Sequence, residues 1–226
     1  MNSVVAINHR ARSSEQKALR RHAVLETAEV YFKEVGYEAF SMAQLAKKSG
    51  VAKGTLYLYF NTREELFLTL YEQSLVRWSQ IFIGSLSDTM TSKTYAQSLY
   101  KTTQADGVFL PLLIRLEHVI EHNVAIPRLI ESKRVFINQV EAVAAATSTA
   151  LRLSTAQATE VVKTMGVLLI GATQTDQSPA LDDEDLPSDV QYLITSFSSE
   201  PLFIKNAARI IEGIRAEDMS DRKSVV

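Results

Sequence analysis

The chain has 226 residues, 46% of them hydrophobic and 22% charged, and carries a net charge of −2. That length allows one domain, or a small one joined to a larger one, at roughly 100–200 residues per domain, and the composition excludes a mainly disordered chain. The absence of cysteine excludes a disulfide framework, a thiolate metal centre and a thiol nucleophile.

Glycine and proline are scarce and fall between periodic segments, and no stretch alternates for long enough to make a strand, so the reading is all-α. The first helix is predicted from Ser14 to Val35, with Val24, Leu25, Ala28, Tyr31, Phe32 and Val35 on one stripe. Gly36 is expected to stop it in a left-handed cap conformation. Ser41 then opens a second helix that ends near Ser49 and Gly50, with Gln44 at capping-box spacing from it. A short third helix covers Ala52 to Tyr59. A fourth follows the capping pair Asn61 and Thr62 and runs to about Ile83, with Phe67, Leu70, Tyr71, Ser74, Trp78, Ile81 and Phe82 on one face. Later helices are predicted at Tyr95–Ala105, Val108–Glu121, Pro127–Leu153, Thr155–Thr175, Asp189–Phe197 and Glu200–Ala216. Pro127 and Pro201 suit first turns. The acidic stretch between Gln177 and Ser188 reads as a solvated, mobile loop.

Charge is unevenly spread: residues 1–60 carry a net +4 and residues 61–226 a net −6. The split points to a basic contact module, residues 1–60, joined to an acidic helical body, residues 61–226.

The stretch from Ser41 to Phe60 reads as two short helices around a tight turn. Ala46 is small where they cross, Gly50 can take the positive φ of a sharp turn, and Leu45, Val51, Leu56 and Phe60 are apolar pegs. This is the helix-turn-helix pattern, whose second helix enters the DNA major groove. Lys53, Gly54, Thr55, Tyr57 and Tyr59 would face that groove. Ser41, Lys48 and Arg63 add hydroxyl and cationic phosphate ligands, and Arg10, Arg12, Arg20 and Arg21 enrich the same end.

Gly36-Tyr37-Glu38-Ala39-Phe40-Ser41, Leu45-Ala46, Ser49-Gly50-Val51, Lys53-Gly54-Thr55-Leu56-Tyr57, Tyr59-Phe60 and Glu64-Glu65-Leu66-Phe67 together resemble the TetR-type (tetracycline-repressor-like) transcriptional regulators over about residues 18–68. The resemblance implies an N-terminal three-helix DNA-binding domain, a C-terminal helical domain for ligand binding and dimerisation, and a homodimeric regulator, usually a repressor, that releases double-stranded operator DNA when a small molecule binds. It further implies that Ser41, Lys53, Gly54, Thr55, Tyr57 and Arg63 hold DNA, that Gln44 touches backbone or base, and that Tyr59 keeps a phosphate contact where many members have histidine. Ala43 stands where some members use a base-reading side chain, which shifts base readout to the third helix.

In the body, Val161, Met165, Leu168, Leu169 and Ala172 form one apolar stripe, and Phe203, Ala207, Ile210, Ile211 and Ile214 another. Both are read as a four-helix interface around a twofold axis. For the effector site the candidates are Ser74, Trp78 and Phe82, then Leu112 and Leu116, then Phe136, Val140, Val143 and Thr147, with Lys133 either meeting an anionic group or snorkelling to solvent. They imply a largely apolar effector, itself unidentified. His118 and His122 are expected on the solvent side, so no metal and no cofactor is assigned.

No apolar run approaches the roughly eighteen residues of a membrane span, and the N-terminus lacks the apolar core of a leader, so a cytoplasmic protein without membrane contact is expected. A Ser–His pair and a phosphate-cradling loop are missing, which argues against an enzyme. The alternative function is a constitutive helix-turn-helix DNA-binding protein without an effector.

Overall fold

The computed structural model describes the backbone of residues 2–174 and 186–221 and the side chains of residues 15–174 and 186–217. It is all-α: among the described residues there is no strand, and no helix is long and apolar enough to cross a membrane. The loop expected between Gln177 and Ser188 falls almost entirely outside the described residues.

Helix α1 spans Asn2–Ala39. It starts well before Ser14 because no glycine or proline interrupts residues 2–35. Gly36, at φ 70° and ψ −175°, breaks the regular helix where a stop was expected, with a short helical piece to Ala39 beyond the kink; its ψ is extended and not that of a left-handed cap. Helices α2 (Met42–Lys48) and α3 (Lys53–Tyr57) follow, then α4 (Arg63–Ser85) and α5 (Ser92–Ala105). Thr62 caps α4 by accepting from the Glu65 amide at 3.0 Å, while the Glu65 carboxylate accepts from the Asn61 amide at 3.0 Å.

The segment predicted as one helix from Val108 to Glu121 is instead α6 (Phe109–Arg115), a π-helical turn (Leu116–Ile120) and a 3-10 turn (Glu121–Asn123). A wider turn shifts the phase of every side chain that follows it. Val119, three residues beyond the buried Leu116, therefore faces solvent. The body continues with α7 (Ile126–Leu151), α8 (Thr155–Gln174), α9 (Ser188–Ser196) and α10 (Ser199–Asp221). Pro127 lies in the first turn of α7, and Pro201 in that of α10.

Two apolar cores form along α4. The first joins α1, α2 and α3 to Leu66–Leu75 of α4 and to Val108, Phe109, Leu112, Leu116 and Ile120. The second joins Phe82 of α4 to α5, α8 and α10. Trp78 packs against both. The helix-turn-helix is thus cemented to the body through α4 and α6, and the body's packing reaches it directly. Ile81, expected on the inner stripe of α4, points outward because the buried face turns through Ser79 and Phe82.

The stripes read as an interface resolve differently. Val161, Met165 and Leu169 of α8 and Phe203, Ala207, Ile211 and Ile214 of α10 are buried within one chain. They face each other and α5, so they are not available to a second copy. Leu168, Ala172 and Ile210 sit half-buried at the edge of that core. The outward apolar positions nearby are Val167, 75% exposed, and four side chains of α9 and its end, Tyr192, Leu193, Ile194 and Phe197.

Candidate functional site

The turn between α2 and α3 is set by backbone hydrogen bonds. The Val51 amide donates to the Ala46 carbonyl at 3.0 Å, and the Gly50 amide to the Lys47 carbonyl at 3.2 Å. This pair is a Schellman closure, and it requires the left-handed φ of 64° that Gly50 supplies. Leu45, Leu56 and Phe60 are fully buried beneath it. With Leu56 pinned inward, Lys53, Gly54 and Tyr57 face outward, Tyr57 being 41% exposed, and Thr55 and Tyr59 are half-buried.

Gly54 has no positive φ and no atom within 4 Å of where a Cβ would stand. Nothing inside the protein demands a glycine there, so its missing side chain leaves room for something outside. Leu58, 73% exposed at the end of α3, escaped the sequence reading because leucine alone signals core. Ser41 occupies the N-cap of α2, but its side chain makes no capping bond, contrary to the capping-box expectation. Its hydroxyl is left available beside the exposed Gln44.

The cations divide into free and engaged. Lys48 donates to Glu34 Oε2 at 2.8 Å and lies 5.1 Å from the Tyr31 ring. Arg63 bonds Glu64 at 3.1 Å and sits 5.0 Å over Tyr37 and 5.5 Å over Phe67. Lys47 and Lys53 are exposed and form no ion pair among the described residues. Lys47, which the motif had not singled out, is thus the unengaged lysine of α2. No local spacing reveals this, since Glu34 is fourteen residues from Lys48. Residues 24–60 carry four cations and four carboxylates, so the net +4 belongs wholly to residues 1–23, whose sequence holds five cations, Arg10, Arg12, Lys17, Arg20 and Arg21, and one carboxylate, Glu15. Lys17 lies 6.0 Å over the Tyr59 ring and Arg21 4.8 Å over Phe60, so α1 at these two cations packs against the residues that follow α3.

The body encloses a cavity of about 390 Å³ between α4, α5, α6, α7 and α8. Of the predicted effector residues, Trp78, Leu116, Lys133, Phe136, Val140 and Val143 line it. The other four do not. Ser74 is buried and bonds the Tyr71 carbonyl at 3.0 Å, and Phe82 stacks behind Trp78 at 5.6 Å. Leu112 belongs to the first core, and Thr147 bonds the Tyr95 hydroxyl at 2.8 Å. Leu113 and Ile114 take the place expected of Leu112.

The π-helical turn also brings Glu117 and His118 to the cavity rim, with Glu121 next to them, where a regular helix would have turned His118 to solvent alone. No cluster of metal-ligating side chains occurs among the described residues. Lys133 meets Glu121 at 2.6 Å. Tyr71 and Tyr95 both line the cavity. Burial pushes the Tyr71 hydroxyl well above the usual phenol range, with the Glu121 and Glu72 carboxylates adding to it. Burial raises Tyr95 to about 12 despite its bond to Thr147.

Two contacts tie the cavity's π-helical and 3-10 turns to the helix-turn-helix. Arg115, just ahead of the π-helical turn, reaches Glu38 at 3.4 Å and lies 5.2 Å over the Tyr37 ring that Arg63 covers from its own side. Asn123, closing the 3-10 turn, accepts from the Thr62 hydroxyl at 3.2 Å, at the cap of α4.

A family model described as bacterial regulatory proteins, tetR family, matches residues 24–70, and one described as tetracyclin repressor-like, C-terminal domain, matches residues 72–218. The fatty acid metabolism regulator protein of Bacillus subtilis (strain 168) is 27% identical over 79 residues, 35% of this chain and 41% of that protein. The HTH-type transcriptional repressor AcnR of Corynebacterium diphtheriae is 30% identical over 69 residues, 30% of this chain and 36% of that protein. The chain therefore spans about a third to two fifths of the length of these curated relatives. Among solved structures, a possible TetR family transcriptional regulator from Streptomyces coelicolor A3(2) superposes with a TM-score of 0.56 at 14% identity, over 87% of this chain and 98% of that one. RolR in complex with resorcinol superposes with a TM-score of 0.55 at 17% identity, over 87% of this chain and 89% of that one. At such identities the likeness is one of fold.

Proposed function

Since the chain belongs to the TetR family of bacterial regulatory proteins, we propose that it is a cytoplasmic, homodimeric repressor that releases palindromic operator DNA when a small, largely apolar effector enters its body. Residues 1–60 form the DNA-binding domain and residues 61–226 the effector-binding and dimerisation domain. Lys53, Gly54, Thr55, Tyr57 and Tyr59 meet the major groove, and Ser41 and Gln44 flank it. Lys48 and Arg63 join the phosphates when DNA competes for them with Glu34 and Glu64. The edge residues Leu168, Ala172 and Ile210 remain in the proposed dimer contact, joined by the outward side of α8.

The observation that carries this reading is the shared framework of groove helix and cavity. The same α4 lines the cavity with Trp78 and anchors α3 through Leu66 and Phe67. The Arg115 and Asn123 contacts join the turns beside the cavity to the end of α1 and to the cap of α4. A ligand that moves the π-helical turn would therefore tilt the groove helices of a dimer away from successive major grooves, a population shift driven by its differential affinity for the two arrangements. The naming of curated relatives as transcriptional regulators supports a non-enzymatic role, and the resorcinol in RolR supports this fold as a host for aromatic ligands.

The test is fluorescence anisotropy on a duplex obtained by in-vitro selection with the full chain. Lys53→Ala and Tyr57→Ala are expected to weaken binding by about tenfold or more while the sedimentation profile stays that of the wild type. Unchanged affinity in both variants refutes the assignment of α3 as the groove helix.

A further inference from the structure

The cavity's chemistry restricts what it can hold, and this inference rests on reading it as a ligand site. Three near-parallel rings stand in its wall, with that of Phe82 stacked behind them. Tyr71 lies 6.0 Å from Phe109, Phe109 4.7 Å from Trp78, and Trp78 5.6 Å from Phe82, with interplanar angles of 14°, 7° and 5°. The Trp78 indole is held in place by donating to Thr102 at 3.3 Å. A ring stacked between neighbours offers a further ring mainly its positive edge, which favours the electron-rich face of a flat aromatic guest.

The charges nearest the cavity's interior are paired with one another. Lys133 is paired with Glu121 at 2.6 Å, and Arg128 with Glu72 at 2.6 Å. Glu117, His118 and Lys163 stand exposed at the rim. A charged guest would enter an apolar interior with no unmatched counter-charge, and burying an unpaired ion is costly.

Two hydroxyls of the lining are unengaged. The Tyr71 hydroxyl is buried and has no hydrogen-bond partner. Ser132 is buried on the α7 side and makes no hydrogen bond among the described residues. A buried hydroxyl without a partner is rare, because it forfeits its hydrogen bond to water. Tyr71 stays protonated, since burial and the Glu121 and Glu72 carboxylates all disfavour the phenolate. It therefore offers a donor to a guest's oxygen.

We propose that the cavity binds an uncharged, planar aromatic molecule bearing a carbonyl or hydroxyl oxygen, and that the Tyr71 hydroxyl donates to that oxygen. At about 390 Å³ the cavity lies at the small end of ligand sites, which suits a one- or two-ring molecule.

The only tryptophan of the chain, Trp78, lines the cavity, so its emission reports occupancy without DNA. The probe is 2-acetylnaphthalene, followed by quenching of Trp78, with 2-naphthoate, 2-naphthylmethylammonium and 2-ethylnaphthalene as competitors. The ketone is expected to bind at least about tenfold more tightly than either ion. Tyr71→Phe is expected to weaken the ketone about 3- to 10-fold and leave 2-ethylnaphthalene unchanged. The variant should melt no lower than the wild type, because the hydroxyl it loses has no partner to strand.

Equal or tighter binding of an ion overturns the proposal, as does a ketone affinity indifferent to Tyr71→Phe. Failure of every naphthalene derivative to bind overturns it too, while leaving the DNA-binding reading to its own test. A ketone that binds with the expected Tyr71 dependence yet leaves operator affinity unchanged supports the ligand class and refutes the effector role.

Discussion

Gly54→Ala separates folding from DNA recognition. The backbone at Gly54 needs no left-handed φ, and an added Cβ would meet no atom within 4 Å. Alanine is the better helix former, so the substitution is expected to stabilise the fold by about 0.5 kcal/mol, the low end for a helical glycine because residue 54 lies in the first turn of α3. For a chain of this size that raises the melting temperature by about 1–2 °C. The same methyl group stands on the outward row between Lys53 and Tyr57, where the proposed complex brings the backbone close to DNA. Losing a close contact of that kind costs about 1–3 kcal/mol, or about 5- to 150-fold in operator affinity. Calorimetric melting and anisotropy on the selected duplex measure the two effects on one preparation. A lower melting temperature would show that the fold itself needs the glycine. A raised melting temperature with unchanged affinity would refute the placement of Gly54 against DNA.

Three other outcomes follow from the same geometry. Glu34→Gln removes the carboxylate that holds Lys48 at 2.8 Å; the plot of log affinity against log salt should steepen by about 0.9, one added phosphate contact, and an unchanged slope would leave Lys48 without a DNA role. Replacing Arg10 and Arg12 by Gln should flatten that slope by up to about 1.8, two phosphate contacts, because the basic excess of the N-terminal module lies in residues 1–23; an identical slope would move the phosphate contacts back to the helix-turn-helix. The Ser92 hydroxyl bonds the Glu212 carboxylate, and that bond is the main cause holding it below the usual range. A depressed folded pKa contributes stability above the unfolded pKa and loses it as pH falls through the folded one, so Ser92→Ala should lower the melting temperature at pH 7 and cost less at pH 3; an equal loss at both would assign the bond no electrostatic part.

The amino-acid sequence by itself determined the elements and the DNA-facing module. Helix periodicity needs only the spacing of apolar residues, and Gly50 together with Leu45, Leu56 and Phe60 leaves one way to fold the tight turn, which sends Lys53, Gly54 and Tyr57 outward. What tertiary structure decided were choices to which periodicity is blind. An apolar stripe says that a face is covered, not by what: Val161, Met165, Leu169, Phe203, Ala207 and Ile211 proved to cover one another inside one chain. A single π-helical turn shifts the phase of the side chains beyond it, which sent Val119 outward and brought His118 to the cavity. Charge pairing across helices is equally hidden, as Glu34 and Lys48 are neighbours only once α1 and α2 have packed. Cavity and unpartnered hydroxyl belong to the same class, because an unfilled space between helices is a property of how five of them meet and has no counterpart along the chain.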